Sequence, residues 1–380
     1  MITPGDRLKL LREKVRQNGF VRIIEAHSGI SALVGEATRV QTGTGIVEYD
    51  GIWESSLTDS ASKGFPDVEL IGLESRIHTI NEILEVTQKP LIVDGDTGRS
   101  PIEFEFLVRR LERMGVSAVI IEDKVFPKRN SLDTSANQTL EAPNLFAQKI
   151  QRGKSQVLTD DFMIIARLES LIAGTGLEDA LFRAEIYIRA GVDGIMIHSQ
   201  QAQPDEILAF GAAYGPLCGN LGVRPPLVCV PTTYNTITDQ ELAGHGFNVI
   251  IHANHLLRAS YKAMEEAALS ILRHDRSNEV EAICTPTSTI FQVVGFDRVK
   301  ELDRLYDSLQ RFSIIIPAAG KDPVFTESPK SMIKVGRRTI LDHQVERLKK
   351  AGLTNNKVCV VCGHEGSQFT RTDVEYLDND

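Results

Sequence analysis

The sequence has no apolar run of about 18 residues or more, the length that crosses a membrane as a helix. Its amino terminus leads into a charged helical stretch without an apolar segment, so secretion is not expected. Positive charge is also scarce, since 42 Lys and Arg residues stand against 51 Asp and Glu residues and the net charge is −9. This balance argues against non-specific binding to nucleic acid or anionic membranes, which excess positive charge drives. A small anionic substrate stays compatible with it, because a metal ion or a few local bases can overcome the net field.

Cysteine is rare and occurs an odd number of times. The five cysteines are Cys218, Cys229, Cys284, Cys359 and Cys362. Their spacing does not resemble a disulfide framework, which predicts a reducing, cytoplasmic setting. The last two spell C-x-x-C inside the apolar run 358–362, and we interpret them as structural residues of a buried strand rather than as a redox or metal motif.

What the sequence does contain is a regular alternation of strand-like and helix-like segments. Eight β-branched runs predict strands at 21–28, 51–57, 90–97, 118–124, 163–170, 194–199, 226–232 and 248–255. Amphipathic stretches such as 103–114 and 177–190 separate most of them, and a glycine follows each of these two, at Gly115 and Gly191. Eight βα units within about 250 residues predict a closed (β/α)8 TIM barrel. A doubly wound open sheet is the alternative, disfavoured because no G-x-G-x-x-G follows the first strand.

All eight predicted strands begin with apolar residues and end with polar ones. The polar ends are Glu25-Ala-His27, Trp53-Glu-Ser55, Asp94-Gly-Asp96, Glu122-Asp-Lys124, Arg167-Leu-Glu169, His198-Ser199, Thr232-Thr233 and Asn254-His255. In a TIM barrel the active site lies at the carboxyl ends of the strands. The pattern therefore favours a polar site at the barrel mouth over ordinary polar turns after the strands.

The carboxylates at these ends favour a hard divalent metal ion. Asp94, Asp96 and Glu122 come from neighbouring strands, and Asp94 and Asp96 share one side of a strand with a period of two. Crowded carboxylates without a cation would repel and raise one another's pKa. Mg2+ resolves the repulsion, because it binds one or two carboxylates directly and others through retained waters. Zn2+ is disfavoured, since no Cys or His pair has metal-ligand spacing.

Two strands further around the barrel, Arg167 and His198 supply donors suited to a phosphate or carboxylate. Two structural alternatives stay open: Arg167 pairs with Glu169, or His198 is a satisfied residue at a strand end. A metal on one wall and an Arg–His pair on the other predict a site for a small, doubly anionic molecule.

The residues that form this pattern resemble a known family. The run 121–131, Ile-Glu-Asp-Lys-Val-Phe-Pro-Lys-Arg-Asn-Ser, closely resembles the E-D-K-x-x-P-K-x-N-S segment of phosphoenolpyruvate mutases, in the isocitrate lyase/phosphoenolpyruvate mutase superfamily. The resemblance covers roughly residues 5–307 and includes Glu25-Ala-His27, Gly51-Ile-Trp53, Asp94-Gly-Asp-Thr-Gly98, Ala166-Arg167, Met196-Ile-His-Ser199 and Ala253-Asn-His-Leu-Leu-Arg258. The family reaction moves the phosphoryl group of phosphoenolpyruvate from oxygen to C3, which gives phosphonopyruvate.

The resemblance implies a role for thirteen residues. Asp94 binds Mg2+, and the carboxylates that hold its waters are Asp67, Asp96 and Glu122. The pyruvyl part of the substrate is surrounded by Trp53, Ser55, Ser56 and Leu57. Arg167 and His198 hold the phosphoryl group. A gating loop that closes over the substrate carries Lys128, Asn130 and Ser131. Family members are commonly oligomeric, which implies a homotetramer or homodimer, and a phosphonopyruvate decarboxylase is the expected partner in the pathway.

The sequence departs from the family at a few positions. Ser56 replaces a Gly, Gly95 replaces a more usual Ala between the two acids, and 40–49 resembles an insertion before the second strand. The loop after Lys124 lacks the Cys of the C–C lyases of the superfamily, which disfavours a lyase. Asn130 stands where phosphonopyruvate hydrolases tend to carry Thr and therefore favours the mutase. A hydrolase and a non-catalytic barrel remain the two alternatives.

The pattern restarts after about residue 310, which divides the chain into a barrel at 1–307 and a segment at 308–380. Strands are predicted at 312–317 and 357–362, with a helix at 340–351. With Ala318-Ala-Gly320 and Pro329-Lys330, the segment resembles the opening of a nucleotidyltransferase domain. Lys321-Asp-Pro-Val-Phe325 breaks the glycine-rich grip on phosphate, because Asp adds negative charge and Pro removes an N–H. We interpret the segment as a truncated or vestigial domain, or as a fragment of a longer bifunctional enzyme.

Overall fold

The structure is a computed structural model that describes residues 2–43, 45–310, 314–318, 329–353, 358–363 and 369–378. The chain divides into two compact units, Met1–Val280 and Glu281–Asp380. The predicted boundary between residues 307 and 308 stays a prediction.

The strands and helices of the first unit alternate along most of its length. Its strands are β1 (Val21–Ala26), β2 (Arg39–Thr42), β3 (Gly45–Glu48), β4 (Gly51–Glu54), β5 (Leu91–Asp94), β6 (Ala118–Glu122), β7 (Met163–Leu168), β8 (Gly194–Ile197), β9 (Leu227–Cys229) and β10 (Val249–His252). Its helices are α1 (Pro4–Asn18), α2 (Gly29–Ala37), α3 (Ser56–Ser62), α4 (Leu73–Val86), α5 (Pro101–Met114), α6 (Pro143–Gln156), α7 (Gly176–Arg189), α8 (Asp205–Leu221), α9 (Asp239–Gly244) and α10 (His255–His274).

Eight of these strands form a closed barrel in the order β1, β10, β9, β8, β7, β6, β5 and β4, with every neighbouring pair parallel. The predicted (β/α)8 TIM barrel is therefore confirmed, and each barrel strand lies within a predicted range. The segment 40–49, interpreted as an insertion, forms most of an antiparallel hairpin of β2 and β3.

Alternate residues of the barrel strands point to opposite sides. The interior cluster includes Val21 and Ile23 of β1 and Met163 and Ile165 of β7. The residues between them pack outward under the helices, as Ile164 does. This is the period-two arrangement of a strand buried on both faces, which explains the almost continuous apolar runs.

Helix α5 shows how local sequence sets the ends of the elements. Ser100 caps its first turn in a reciprocal pair with Glu103, and Pro101 occupies a first-turn position where no N–H is needed. The helix ends at Gly115, which has a left-handed φ of 83°. A glycine adopts this conformation without steric cost, and the chain can turn directly into β6.

The second unit contains a small parallel sheet. Its elements are α11 (Thr287–Val293), α12 (Phe296–Gln310), β11 (Ile314–Pro317), β12 (Lys334–Val335), β13 (Arg338–Thr339), α13 (Ile340–Lys350), β14 (Val358–Cys362) and β15 (Glu375–Asp378). Strands β11, β14 and β15 pair in parallel, and α13 contributes Leu341 and Val345 to the same buried cluster. Cys359 and Cys362 are buried within β14, in agreement with their interpretation as strand residues.

The predicted break in the phosphate grip, 321–325, lies outside the described residues. The resemblance of this unit to a nucleotidyltransferase therefore stays a prediction. Among the helices of the described residues, none combines the length and the apolar composition needed to span a bilayer.

Candidate active site

A cavity of about 50 Å3 opens at the carboxyl ends of the barrel strands, where the sequence predicts the site. Eleven of the thirteen predicted residues line it: Trp53, Ser55, Ser56, Leu57, Asp67, Asp94, Lys128, Asn130, Ser131, Arg167 and His198. The other two, Asp96 and Glu122, lie beside the cavity, where Asp96 contacts Lys128 and Glu122 approaches Arg167. The structure thus brings all thirteen residues to one end of the barrel.

One wall of the cavity is formed by carboxylates around the ammonium of Lys128. Lys128 Nζ lies 2.7 Å from Asp96 Oδ1 and 3.2 Å from Asp67 Oδ1, and it donates to Ser56 Oγ at 2.8 Å. Ser56 Oγ in turn donates to Asp94 Oδ2 at 2.9 Å. Burial alone would lower the pKa of Lys128, but the surrounding carboxylates outweigh it and raise the pKa well above the usual value. Lys128 is therefore charged and balances this wall.

Glu122 is the carboxylate that the described residues satisfy least. Both of its oxygens are buried and accept no hydrogen bond from any residue that the structure describes. Its nearest cationic atoms are Arg167 Nη2 at 3.4 Å and Lys124 Nζ at 4.0 Å. Burial raises its pKa to about 7, although Lys128 and Arg167 lower it in part. Such a group is stabilised by a further cation or by water held on one.

The donor set fits a hard divalent ion, because Asp67, Asp94, Asp96 and Glu122 offer only oxygen atoms. In the arrangement described here, the Lys128 ammonium lies among these acids. The part of the chain that the structure describes contains no group of three or more His, Cys, Asp or Glu side chains close enough to hold a metal ion. The unsatisfied oxygens of Glu122 are the observation that favours a bound cation.

Gly95 lets the turn between the two acids approach the neighbouring strand. A Cβ atom at this position would lie 2.8 Å from the side chains of Val119 and Ile121 and 3.0 Å from the carbonyl oxygen of Ile120. Real Cβ atoms hardly ever come so close to packed groups. Gly95 is thus required by the packing of this barrel, in place of the Ala more usual in the family.

The opposite wall carries the predicted anion-binding pair. Arg167 Nη2 lies 2.8 Å from His198 Nδ1 and donates to Ser131 Oγ at 2.8 Å. Burial lowers the pKa of His198, and the nearby Arg167 guanidinium lowers it further. Nδ1 also lies 3.2 Å from Glu169 Oε1, a contact that would need a proton on Nδ1. Because a guanidinium can only donate and its contact is the shorter one, we assign the imidazole as neutral, with Nδ1 accepting from Arg167 and the proton on Nε2.

Glu169 holds this wall together and was not predicted as a site residue. Its carboxylate accepts from Arg167 Nε, and its Oε2 accepts from Ser131 Oγ at 2.7 Å and pairs with Lys124 Nζ at 3.1 Å. Burial would raise its pKa, but Arg167 and Lys124 outweigh burial and hold the pKa well below the usual value. The pairing of Arg167 with Glu169, considered as a structural alternative, is therefore present and lies within the site itself. The signal that could have found Glu169 is its position two residues after Arg167.

The segment 124–131 lies over the cavity and contacts both walls. Asn130 Nδ2 donates to Asp67 Oδ2 at 2.7 Å, and Ser131 reaches the Arg167 side as described above. Lys124 Nζ donates to the carbonyl oxygen of Arg129 at 2.9 Å and to Ser131 Oγ at 2.6 Å. The residues predicted for a gating loop thus line the cavity and contact both of its walls.

A further buried ion pair supports the carboxylate wall from behind. Arg76 of α4 donates from Nη1 to Asp96 Oδ2 and from Nη2 to Glu54 Oε2, each at 2.7 Å. Burial raises the pKa of Glu54 to about 7, and Arg76 offsets part of that effect. Sequence reasoning missed Arg76, because nothing in an amphipathic helix shows which of its charged residues faces a strand end.

Fold and site together define a class: a TIM barrel whose mouth sets buried carboxylates against an Arg–His pair beneath a covering loop. Residues 11–272 match the family model described as Phosphoenolpyruvate phosphomutase. The chain therefore belongs to the phosphoenolpyruvate mutase family, within the superfamily that also contains the isocitrate lyases.

Relatives with two different activities are similar to the chain to nearly the same degree. It is 35% identical over 297 residues to Phosphoenolpyruvate phosphomutase of Tetrahymena pyriformis, covering 78% of this chain and 94% of the relative. It is 33% identical over 298 residues to Phosphonopyruvate hydrolase of Variovorax sp. (strain Pal2), covering 78% of this chain and 97% of the relative. The family is shown by these matches, and the choice between the two activities needs a separate argument.

Solved structures with the same two activities are also similar to the chain. The crystal structure of phosphoenolpyruvate phosphomutase from Streptomyces platensis subsp. rosaceus matches with a TM-score of 0.71 at 34% identity, covering 79% of this chain and 99% of that one. A phosphonopyruvate hydrolase in complex with oxalate and Mg2+ matches with a TM-score of 0.68 at 31% identity, covering 80% and 99%.

Proposed function

We propose that this protein is a Mg2+-dependent phosphoenolpyruvate mutase, an isomerase that interconverts phosphoenolpyruvate and phosphonopyruvate. The observation that carries the proposal is the pairing of Arg167 with a neutral His198 across one small cavity from the carboxylates around Asp94. This arrangement suits a small molecule that carries a phosphoryl group at one end and a carboxylate at the other. Family membership supports the same reaction.

The metal-binding residues in this proposal are Asp94, as a direct ligand, and Asp67, Asp96 and Glu122, which hold metal-bound waters. When bound, Mg2+ neutralises negative charge on the substrate and orients its oxygens. Lys128, which lies among these acids, supplies a second positive charge from the covering loop.

The remaining residues bind and orient the substrate. Arg167 donates to the phosphoryl oxygens, and His198 offers its Nε2 proton, which the contact at Nδ1 leaves free to donate. The pyruvyl part is surrounded by Trp53, Ser55, Ser56 and Leu57. A loose phosphoryl transfer needs positioning and charge stabilisation more than a strong nucleophile, which agrees with this set of groups.

Exclusion of water decides between the mutase and its alternative, phosphonopyruvate hydrolase. If water reaches the phosphoryl group, the products are pyruvate and phosphate. Asn130 favours the mutase, because its amide donates to Asp67 and ties the loop to the carboxylate wall. The hydrolase stays the second candidate, supported by the nearly equal similarity of the Variovorax relative.

The test is 31P NMR of the purified protein with phosphonopyruvate and Mg2+. Conversion of the phosphonate signal into that of phosphoenolpyruvate is expected. Release of inorganic phosphate with pyruvate would replace the mutase by the hydrolase. The Asp94→Ala variant is expected to lose activity. Unchanged turnover in this variant would show that the turnover does not come from this site, and would support a non-catalytic barrel.

A homo-oligomer is part of the proposal, either a dimer or a tetramer. Helix α10 has no buried residue within the described chain, although apolar residues recur along it at Leu257, Tyr261, Met264, Ala268 and Ile271. Spacings of four and three residues place these side chains on one stripe, the pattern that packs against another helix. We propose that a second copy of the chain covers this stripe of α10.

A cytoplasmic location and coupling to a phosphonopyruvate decarboxylase stay predictions.

A further inference from the structure

One buried carboxylate outside the predicted site joins three separate segments. Glu69 is 8% exposed, and its Oε1 accepts from Thr97 Oγ1 at 2.8 Å and from Thr97 N at 3.3 Å. Its Oε2 accepts from the backbone N–H of Lys128 at 2.8 Å. One side chain therefore ties the turn that follows Asp94 and Asp96 to the loop 124–131.

Arg99 makes the same connection by different contacts. Its Nη2 donates to the carbonyl oxygen of Glu69 at 3.0 Å, and its guanidinium lies 5.3 Å from the centre of the Phe126 ring. A guanidinium over an aromatic ring is attracted by the electron density of its face. Residues 69, 97 and 99 thus hold the loop at two points, Phe126 and Lys128.

The backbone at this junction is held in an unfavourable conformation. Glu69 and Arg99 have φ angles of 59° and 53°, in the left-handed region that side chains with a Cβ rarely adopt. Such conformations persist only where surrounding contacts impose them, and they concentrate at binding and switching segments. Glu69 and Arg99 are also the residues whose side chains contact the loop, at Lys128 and Phe126.

We propose that Glu69 and Arg99 form a latch that holds the loop 124–131 closed and couples its closure to the turn carrying the metal-binding acids. Both are positioning residues, since neither lines the cavity. The latch rests on the proposed function in one respect: by keeping the loop closed, it keeps water from the phosphoryl group and favours the mutase outcome over hydrolysis.

The sole tryptophan of the sequence, Trp53, offers a direct reading of closure, because it lines the cavity beneath the loop and is 2% exposed. In Glu69→Gln, the amide oxygen can still accept from Thr97, but the amide nitrogen that replaces Oε2 cannot accept from Lys128. We expect acrylamide to quench Trp53 severalfold more strongly in this variant. The ratio of phosphate to phosphoenolpyruvate is expected to rise on the order of tenfold, as for loss of one hydrogen bond to a charged group.

The matched control is Glu74→Gln, the same change at a mostly exposed carboxylate of α4 that pairs with Arg110. It is expected to leave both the quenching and the product ratio as in the wild type. Wild-type quenching and wild-type product ratio in Glu69→Gln would overturn the latch.

A second variant tests the latch independently, in case Glu69→Gln does not fold. Arg99→Met removes the contacts with Glu69 and Phe126, and it is expected to shift quenching in the same direction; wild-type quenching in a folded Arg99→Met protein would also overturn the latch. If even the wild type fails to convert phosphonopyruvate, the proposed function falls. The quenching of Trp53 still decides the latch in that case, because it needs neither substrate nor metal.

Discussion

Each barrel strand sends every second side chain into the barrel, and this alternation continues beyond the end of the strand. Met163 and Ile165 of β7 fill the interior, Arg167 follows at the mouth, and Glu169 comes two residues later. On β6 the interior positions are Ala118 and Ile120. Asp123 is an odd number of residues further along and therefore faces the other way. It points outward, where Tyr187 Oη and Arg183 Nη1 of α7 donate to it at 2.8 and 3.2 Å. At the scale of the residue, the alternation along a strand decides whether a charged side chain lies in the site or binds a helix on the outside of the barrel.

Asn130→Thr tests how one side chain of the loop affects the products. The variant loses the amide that donates to Asp67 at 2.7 Å. We expect the phosphate fraction to rise by about tenfold relative to phosphoenolpyruvate, as for the loss of one charge-assisted hydrogen bond. The measurement is 31P NMR of the product mixture. Asn137→Thr, the same change at an exposed position nearby, is the control. Equal product ratios in the two variants would contradict the role of Asn130.

His198 is expected to stay neutral at pH values where an ordinary histidine is already half protonated. Burial and Arg167 place its pKa below the usual 6.5. Turnover should therefore show no loss from His198 as the pH falls to 6.5, and it should fall only when the imidazolium forms beside Arg167 at lower pH. An NMR titration of the histidine ring protons, assigned with His198→Gln, measures the midpoint. A midpoint at or above 6.5 would show that the assignment of a neutral imidazole is wrong.

At the scale of the element, α4 is fixed to the barrel by the buried pairs of Arg76. Arg76→Met leaves Glu54 and Asp96 buried without their cation, and we expect the free energy of unfolding to fall by about 3 kcal/mol. The control is Arg110→Met on α5, whose pair with Glu74 is exposed and whose loss should cost less than about 1 kcal/mol. Urea denaturation measures both, and equal losses would contradict this account.

The pH dependence of the same variant has a definite sign. Burial raises the pKa of Glu54 to about 7 in the folded protein, from an ordinary value of 4.5. The folded state thus binds more protons than the unfolded chain between these values, and the stability contributed by Glu54 falls as the pH rises through them. Without Arg76, the charged form of Glu54 is even less favourable in the folded protein, because Arg76 no longer offsets the effect of burial. The destabilisation of Arg76→Met should therefore be larger at pH 8 than at pH 6.

The elements that were predictable from the sequence are those with a strong local pattern. The eight barrel strands and helices such as α5 follow from apolar periodicity and from caps such as Ser100 and Gly115. The predicted residues at strand ends meet at one mouth because parallel strands end together, and eleven of the thirteen predicted site residues line the cavity there. Glu69 and Arg76 could not be predicted, since their partners are distant in sequence and are chosen only when the helices pack.

At the scale of the whole molecule, the exposed stripe of α10 is the feature to test. Met264→Lys places a charge on the stripe, and we expect it to reduce the mass of the oligomer. Size-exclusion chromatography with light scattering measures that mass. Glu265→Lys, which introduces the same side chain one position further along the helix, should leave it unchanged. A wild-type protein that is monomeric would show that the proposed homo-oligomer is wrong.

Helix α1 gives the barrel a floor. Leu11 is fully buried in the interior cluster with Val21 and Ile23, and Val15 packs against the same cluster. The cavity above is consequently closed at this end of the barrel, and in the proposed reaction substrate and product pass through the same opening, beside residues 124–131. The rate of passage through that opening sets an upper limit on kcat. For the proposed reaction we expect this passage to be the slowest step, so that kcat declines in a more viscous solvent even when the chemical step is unchanged.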